Sequence, residues 1–264
     1  MLITRALVGT LGAILAIIVV YKGGLSLLIA LILLTILGLH EFYRMSRAFN
    51  PVRLAGFLGA LLILVGAYTG SVGGALRASL YLFALTFLFH AIRGLKTEMV
   101  AEMAVTYFGA FYVGMGFAHM ILLRDTPSYG TSLAFVVLLA TWTSDTVAYV
   151  VGHYLGQRAI SPVISPKKTI EGTLAGAIGT IIVVLIAGKS LGWMSSGQFF
   201  VLGLAIAIAA PLGDLFESFL KRASQVKDAG TIIPGHGGIL DRFDSLLFTT
   251  VTAFYLVAAL VGSG

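Results

Sequence analysis

Apolar residues in this chain come in long runs separated by short polar turns, with little of the two-residue alternation of a half-buried strand. A first run, about Leu7 to Val20, passes through Tyr21-Lys22-Gly23-Gly24 into a second, about Leu25 to Leu39. Further runs cover about Leu54 to Tyr68, Leu76 to Ile92, Val105 to Leu123, Leu133 to Val151, Thr173 to Ala187, Phe200 to Phe219 and Leu246 to Val261. Crossing the ~30 Å of bilayer hydrocarbon takes roughly 20 apolar residues in a helix. The pattern therefore predicts an all-α, polytopic membrane protein of about nine transmembrane helices. A transmembrane β-barrel would instead need short segments of alternating polarity.

Composition sharpens this picture. Of 264 residues, 58% are hydrophobic and 11% charged, against roughly 25% charged in an ordinary soluble domain. The net charge of +6 would raise nucleic acid as a partner in a soluble protein. Here the cations lie in loops, where topology and anionic membrane lipids account for them and no nucleic acid is needed. With the N-terminus on the cytoplasmic side, the inner loops collect thirteen of the 17 basic residues, among them Arg44, Arg47, Arg93 and Lys96; Lys22, Arg77, Arg124 and Lys189 remain outside. This asymmetry predicts a multi-pass protein of the inner (cytoplasmic) membrane with its richest polar loops facing the cytoplasm. The first run carries no small-residue cleavage pattern and reads as a retained span. Residues 1–125 read as a transmembrane scaffold, and 126–264 as the catalytic part.

Five of the eleven acidic residues fall between Gly213 and Asp244: Asp214, Glu217, Asp228, Asp241 and Asp244. Lys221, Arg222, Lys227, Arg242 and His236 stand among them. Asp214, Glu217, Ser218, Lys221 and Arg222 share one helical stripe, and Asp241 and Asp244 could share a face of the next helix. Acids from two helices and a loop suit a hard, oxygen-loving cation such as Mg²⁺. An interfacial salt-bridge network would explain the charges but not the turn Pro234-Gly235-His236-Gly237-Gly238, whose glycines let backbone approach a ligand. Earlier, Ser165-Pro166-Lys167-Lys168-Thr169-Ile170-Glu171-Gly172 leads into a helix that Thr169 could cap. That start, with two lysines, fits either a phosphate or a plain positive-inside loop. Asp145 lies inside an apolar run, where a carboxylate faces a cavity, a cation or a neighbouring helix.

At these residues the chain closely resembles the CDP-diacylglycerol synthases, or phosphatidate cytidylyltransferases. The resemblance is carried by Ser218, Lys221-Arg222, Lys227-Asp228, Pro234, His236-Gly237-Gly238, Asp241-Arg242 and Asp244, by the Ser165–Gly172 segment, and by Asp145-Thr146-x-Ala148-Tyr149. It implies the reaction of CTP with phosphatidate to give CDP-diacylglycerol and pyrophosphate, with Mg²⁺ (a second cation left open), in a homodimer. On that footing Asp214 and Asp241 are the first-choice metal ligands, with Asp244, Asp145 and Asp228 as further ones. Lys221, Arg222, Lys227 and Arg242 would hold substrate phosphates, as would Ser165, Lys167, Lys168 and Thr169. Glu171 and Glu217 would orient cations, and His236 would orient or protonate the leaving pyrophosphate. Two rivals make distinct predictions. An ion-coupled transporter would show inverted repeats, absent here. A CTP-dependent polyprenol or phytol kinase would release CDP.

Overall fold

The structure is a computed structural model and describes residues 2–93, 98–230, 232 and 237–261. Lys96, Pro234, Gly235 and His236, singled out above, lie outside the described residues. The chain forms α1 (Leu2–Lys22), α2 (Gly24–Met45), α3 (Arg53–Arg93), α4 (Met99–Arg124), α5 (Gly130–Leu155), α6 (Ile170–Leu191), α7 (Ser196–Ala223) and α8 (Leu240–Val261). A two-stranded antiparallel ribbon, β1 (Ala159–Ser161) and β2 (Ser165–Thr169), precedes α6. Seven of the helices are long and apolar enough to cross a membrane, and α1 contributes a shorter apolar stretch, Leu7–Lys22. The protein is an all-helical polytopic membrane protein.

The chain divides into two compact units, Met1–Asp125 with Ser224–Arg242, and Thr126–Ala223 with Phe243–Gly264. In the first unit, α3 spans two of the runs read from the sequence. Its helical dihedrals break at Gly70 and at Ser71, where φ is 59°. The halves on either side fold back on each other. A Cβ on Gly66 would lie 2.6 Å from the carbonyl oxygen of Gly74, and one on Gly59 would collide with the Leu82 side chain. In a continuous helix, residues 66 and 74 would stand about 12 Å apart at 1.5 Å per residue. The segment is thus a helical hairpin, and glycine at its closing contact lets backbone meet backbone, as membrane helices favour.

Tyr43, fully buried, ties α2 to α4 by donating to the Thr106 carbonyl at 2.6 Å, and the Thr106 hydroxyl in turn accepts from Val52 N–H at 2.8 Å. Arg124, at the end of α4, donates to the carbonyls of Val20 and Tyr21, supplying partners that the last turn of α1 lacks. Gly23 makes the turn that follows at φ 62°, with the Arg124 guanidinium 2.8 Å from where a Cβ would sit.

In the second unit, α6 has small residues inward and large ones outward. Gly172, Gly176, Thr180, Val184 and Gly188 are buried at four-residue spacing. Leu174, Ile178, Ile182 and Ile186 form an exposed stripe. A soluble helix would reverse this arrangement; a lipid-facing one gains nothing by hiding leucine from hydrocarbon. The inward stripe lets α6 approach α5 until a Cβ on Gly172 would meet the Ala148 carbonyl at 2.5 Å and one on Gly176 that of Ser144 at 2.7 Å.

Placing a side chain at the hairpin contact should cost about 1–3 kcal/mol, the usual penalty for overpacking. Gly66→Val is expected to lower the unfolding temperature of the detergent-solubilised protein by several degrees. Gly12→Val, where nothing lies within 4 Å of the new Cβ, should leave it near wild type. Equal unfolding temperatures would contradict the hairpin.

Candidate active site

The polar residues of the second unit gather from α5, β2, α7 and α8. Asp214 and Glu217 lie one turn apart on α7, and Asp214 accepts an ion pair from Lys168 Nζ at 2.6 Å. The same ammonium donates to Ser218 Oγ at 3.3 Å. Lys221 pairs with Glu217, which is only 1% exposed. From α8, the Asp244 carboxyl lies beside that of Asp214 and faces Glu217. Ser245 N–H donates to Asp244 Oδ1 at 2.7 Å, and Ser245 Oγ donates to Asp145 Oδ1 at 3.2 Å. This close packing of α7 on α8 needs glycine at 213, where a Cβ would lie 2.6 Å from the Asp244 carbonyl oxygen.

Three carboxylates meeting in an apolar unit repel one another unless cations or protons lie between them. Lys168 and Lys221 supply two such cations. Among the described residues, no three His, Asp or Glu side chains are arranged to hold a metal ion by themselves. Mg²⁺ does not need a full protein cage: it commonly takes one or two carboxylates and completes its octahedron with water and substrate phosphate. The hard oxygen donors of Asp214 and Asp244 fit that mode of binding.

The segment before α6 is more ordered than a loop. Ser165, Lys167 and Lys168 lie on β2, with Ser165 in register with Ser161 and Thr169 with Ala159. Thr169 caps α6, its hydroxyl accepting Gly172 N–H at 3.2 Å. Lys167 is exposed. Glu171 Oε2 accepts the amides of Gln157 and Arg158 at 3.1 and 3.3 Å, so this acid stabilises the turn after α5. Arg222 Nε donates to the Ile164 carbonyl at 3.3 Å, joining the end of α7 to the ribbon.

The glycine turn belongs to the first unit. Asp241 Oδ2 accepts the amides of Ala229 at 3.0 Å and Gly238 at 2.8 Å. Gly237 stands at φ 84°, a conformation that favours glycine. Lys227 and Asp228 are exposed just before Ala229, and Arg242 is exposed beside Asp241. A cleft of about 500 Å³ is lined by Arg44, Met45 and Arg47 with Ser224, Gln225, Val226, Asp228 and Ala229. Sequence reasoning treated Arg44 and Arg47 as topology markers and gave no role to Glu41. The end of α2 nevertheless borders the signature segment, and Glu41 accepts the Leu240 amide at 3.0 Å. The available signal was an acid in the last turns of an apolar run with a cation one turn on.

Fold and site together describe a polytopic membrane protein in which acids, lysines and a capped helix start converge. The chain belongs to the cytidylyltransferase family, whose model matches residues 3–260. It is 34% identical to a phosphatidate cytidylyltransferase of Bacillus subtilis over 264 residues, covering 96% of this chain and 97% of that one. The Staphylococcus saprophyticus protein of that name is 34% identical over 249 residues, with 91% and 95% covered. For the Synechocystis protein the figures are 32% over 289 residues, with 97% of each chain covered.

Removing one member of a buried ion pair typically costs about 3–5 kcal/mol, because the remaining charge stays desolvated. Lys221→Met should therefore destabilise the protein strongly in thermal unfolding. Glu217→Gln in the same chain should recover most of that loss, a non-additivity that a double-mutant cycle reads directly. Strictly additive losses would mean that the two side chains do not depend on each other.

Proposed function

We propose that the protein transfers the cytidylyl group of CTP to phosphatidate, giving CDP-diacylglycerol and pyrophosphate, as a homodimer at the cytoplasmic face of the inner membrane. The observation that carries this reading is the Asp214–Asp244 carboxyl pair with Lys168 on Asp214, in a chain of the cytidylyltransferase family. Phosphate monoesters have a second pKa near ~6, so phosphatidate is largely dianionic at neutral pH. One of its phosphate oxygens bonds to the α-phosphorus of CTP. The bond from that phosphorus to the bridging oxygen breaks, and pyrophosphate leaves with the electron pair. No strong base is needed. The obstacle is an anion approaching a polyanion, so catalysis consists of positioning and charge neutralisation.

In this scheme Lys168 exchanges its carboxylate partner for a phosphate oxygen, Lys221 adds a phosphate contact while still paired with Glu217, and Arg222, Lys227 and Arg242 hold further phosphates. Ser165, Lys167 and the amides at the start of α6 receive another phosphate group. Asp214 and Asp244 would hold Mg²⁺, with Asp145 supporting them through Ser245. When bound, Mg²⁺ supplies Lewis-acid neutralisation of phosphate oxygens. Asp241, with Asp214 the first-choice ligand in the sequence, stays a proposed metal ligand, and its carboxylate also accepts the amides of Ala229 and Gly238. His236 keeps its proposed part at the leaving group. Acyl chains remain among the membrane lipids while the headgroup meets soluble CTP.

Purified protein given radiolabelled CTP and phosphatidate should move label into a lipid-soluble nucleotide and release pyrophosphate, with Mg²⁺ but not with excess EDTA. Release of CDP with phosphorylation of a lipid alcohol would favour a kinase instead. Asp214→Asn and Asp244→Asn should each cut turnover by about 100-fold or more, the scale of losing a transition-state charge contact. Near-normal turnover in both would refute the metal assignment. Lys168→Ala should raise the apparent KM for one substrate; an unchanged profile would leave the ribbon lysines a topological role only.

A further inference from the structure

We propose that Glu41 is a positioning residue for the reaction: from the end of α2 its buried carboxylate fixes the backbone on both sides of the glycine turn, and through it sets Asp241 and its neighbours. Glu41 is 1% exposed. Burying a carboxylate costs several kcal/mol unless it is hydrogen-bonded, so an apolar residue would serve stability alone better. The carboxylate meets backbone. Oε2 accepts the Leu240 amide at 3.0 Å, and the Ile239 amide also faces the group.

Three glycines make this approach possible. A Cβ on Gly238 would lie 2.5 Å from Glu41 Oε2, and one on Gly230 would collide with Oε1. On α2 itself, a Cβ on Gly38 would come 3.2 Å from the Leu240 side chain and 3.7 Å from that of Ile239. Gly230 and the Gly238–Leu240 backbone thus both lie against one acid, which holds Leu240 by a hydrogen bond and meets Gly230 by close approach alone, 199 residues from Leu240 in sequence.

Asp241 grips the same backbone through the amides of Ala229 and Gly238. Its carboxylate is close enough to that of Glu41 for the two charges to repel. Two like charges held by different amides of one short stretch, Leu240 for Glu41 and Gly238 for Asp241, have a defined separation. Loss of Glu41 would free the Leu240 amide and remove the packing against Gly238, loosening the orientation of Asp241, Arg242 and the preceding Lys227-Asp228. A displacement of about 1 Å in such groups can cost on the order of 100-fold in rate.

The inference rests on the cytidylyltransferase reading for its activity arm only. Glu41→Ala should lower kcat about 10- to 100-fold, the usual range for supporting residues of a site, with KM for CTP changed little. Amide exchange at Gly238 and Leu240 should accelerate at least about 10-fold, while α5 and α6 keep wild-type protection. Glu41→Gln, which retains an acceptor oxygen, should restore most of kcat. Wild-type kcat in Glu41→Ala would overturn the proposal, as would exchange that rises equally in α5 and α6. Should Glu41→Ala not fold, Gly238→Ala addresses the same contact, with an expected loss of kcat at normal folding; normal kcat there would overturn the proposal. With both alanines, kcat should fall no further than in Glu41→Ala, since the new methyl then has no carboxylate to strike; fully additive losses refute the contact. A wild-type protein that makes no CDP-diacylglycerol sinks the activity reading and leaves the exchange arm able to decide Glu41.

Discussion

The organising constraint is the cost of carboxylates in a chain with a mean hydropathy of +1.01. Each acid drawn out of water needs a partner that offsets its desolvation, and two kinds recur around the candidate site, besides the His90–Glu102 pair of the first unit and the Ser245 amide on Asp244. In the second unit they are lysines: Lys168 on Asp214 and Lys221 on Glu217. In the first unit they are backbone amides: Leu240 on Glu41, with Ala229 and Gly238 on Asp241. The difference matters chemically. A lysine can leave its carboxylate for a phosphate, whereas a loop amide cannot leave without unfolding the loop. The first cluster is therefore suited to exchanging charge with a ligand and the second to holding shape.

Glycine makes both kinds of partnership possible. Asp244 reaches Asp214 because Gly213 leaves α7 smooth where α8 crosses it, and Glu41 reaches backbone because Gly230 and Gly238 carry no Cβ. The same device closes the α3 hairpin at Gly66 and Gly74 and seats α6 on α5 through Gly172 and Gly176. Where lipid surrounds the helices, burying leucine against leucine adds little, so close backbone approach and polar contacts carry more of the specificity. A protein with 32 glycines can use that route often.

Legibility in the sequence followed the range of each interaction. The helical runs were plain, because hydrophobic length is a local property. The break at Gly70 and Ser71 was placed as a turn between two runs, and the folded-back halves of α3 agree with it. The Thr169 cap was likewise readable, since cap and amide lie three residues apart. The ribbon before α6 was not, because two strands of three and five residues leave no usable alternation. Glu41 was passed over for a different reason. Its partner is on the far side of the chain, and an acid beside Arg44 at the end of an apolar run looks like any interfacial charge. Glu171 shows the converse: the resemblance implied a cation-orienting role for it, and its carboxylate accepts two local amides that no motif announces.

Lys168 brings these strands together. Its ammonium is 2.6 Å from Asp214 and 3.3 Å from the Ser218 hydroxyl, and it stands on β2 directly before the residue that caps α6. A strand is a stiffer mount than a loop, and Arg222 ties the end of α7 to the same ribbon through Ile164. The lysine is thus held at a defined distance from the acids rather than on a free tether. Without substrate, the pair is close to neutral and inexpensive to keep in its partly exposed place. A phosphate arriving at the α6 start would compete with Asp214 for the same ammonium. The carboxylate given up in that exchange is the one beside Asp244, so binding an anion at the ribbon would increase the demand for a cation at the acid pair. In the proposed reaction, phosphate and metal occupancy are then coupled through one side chain.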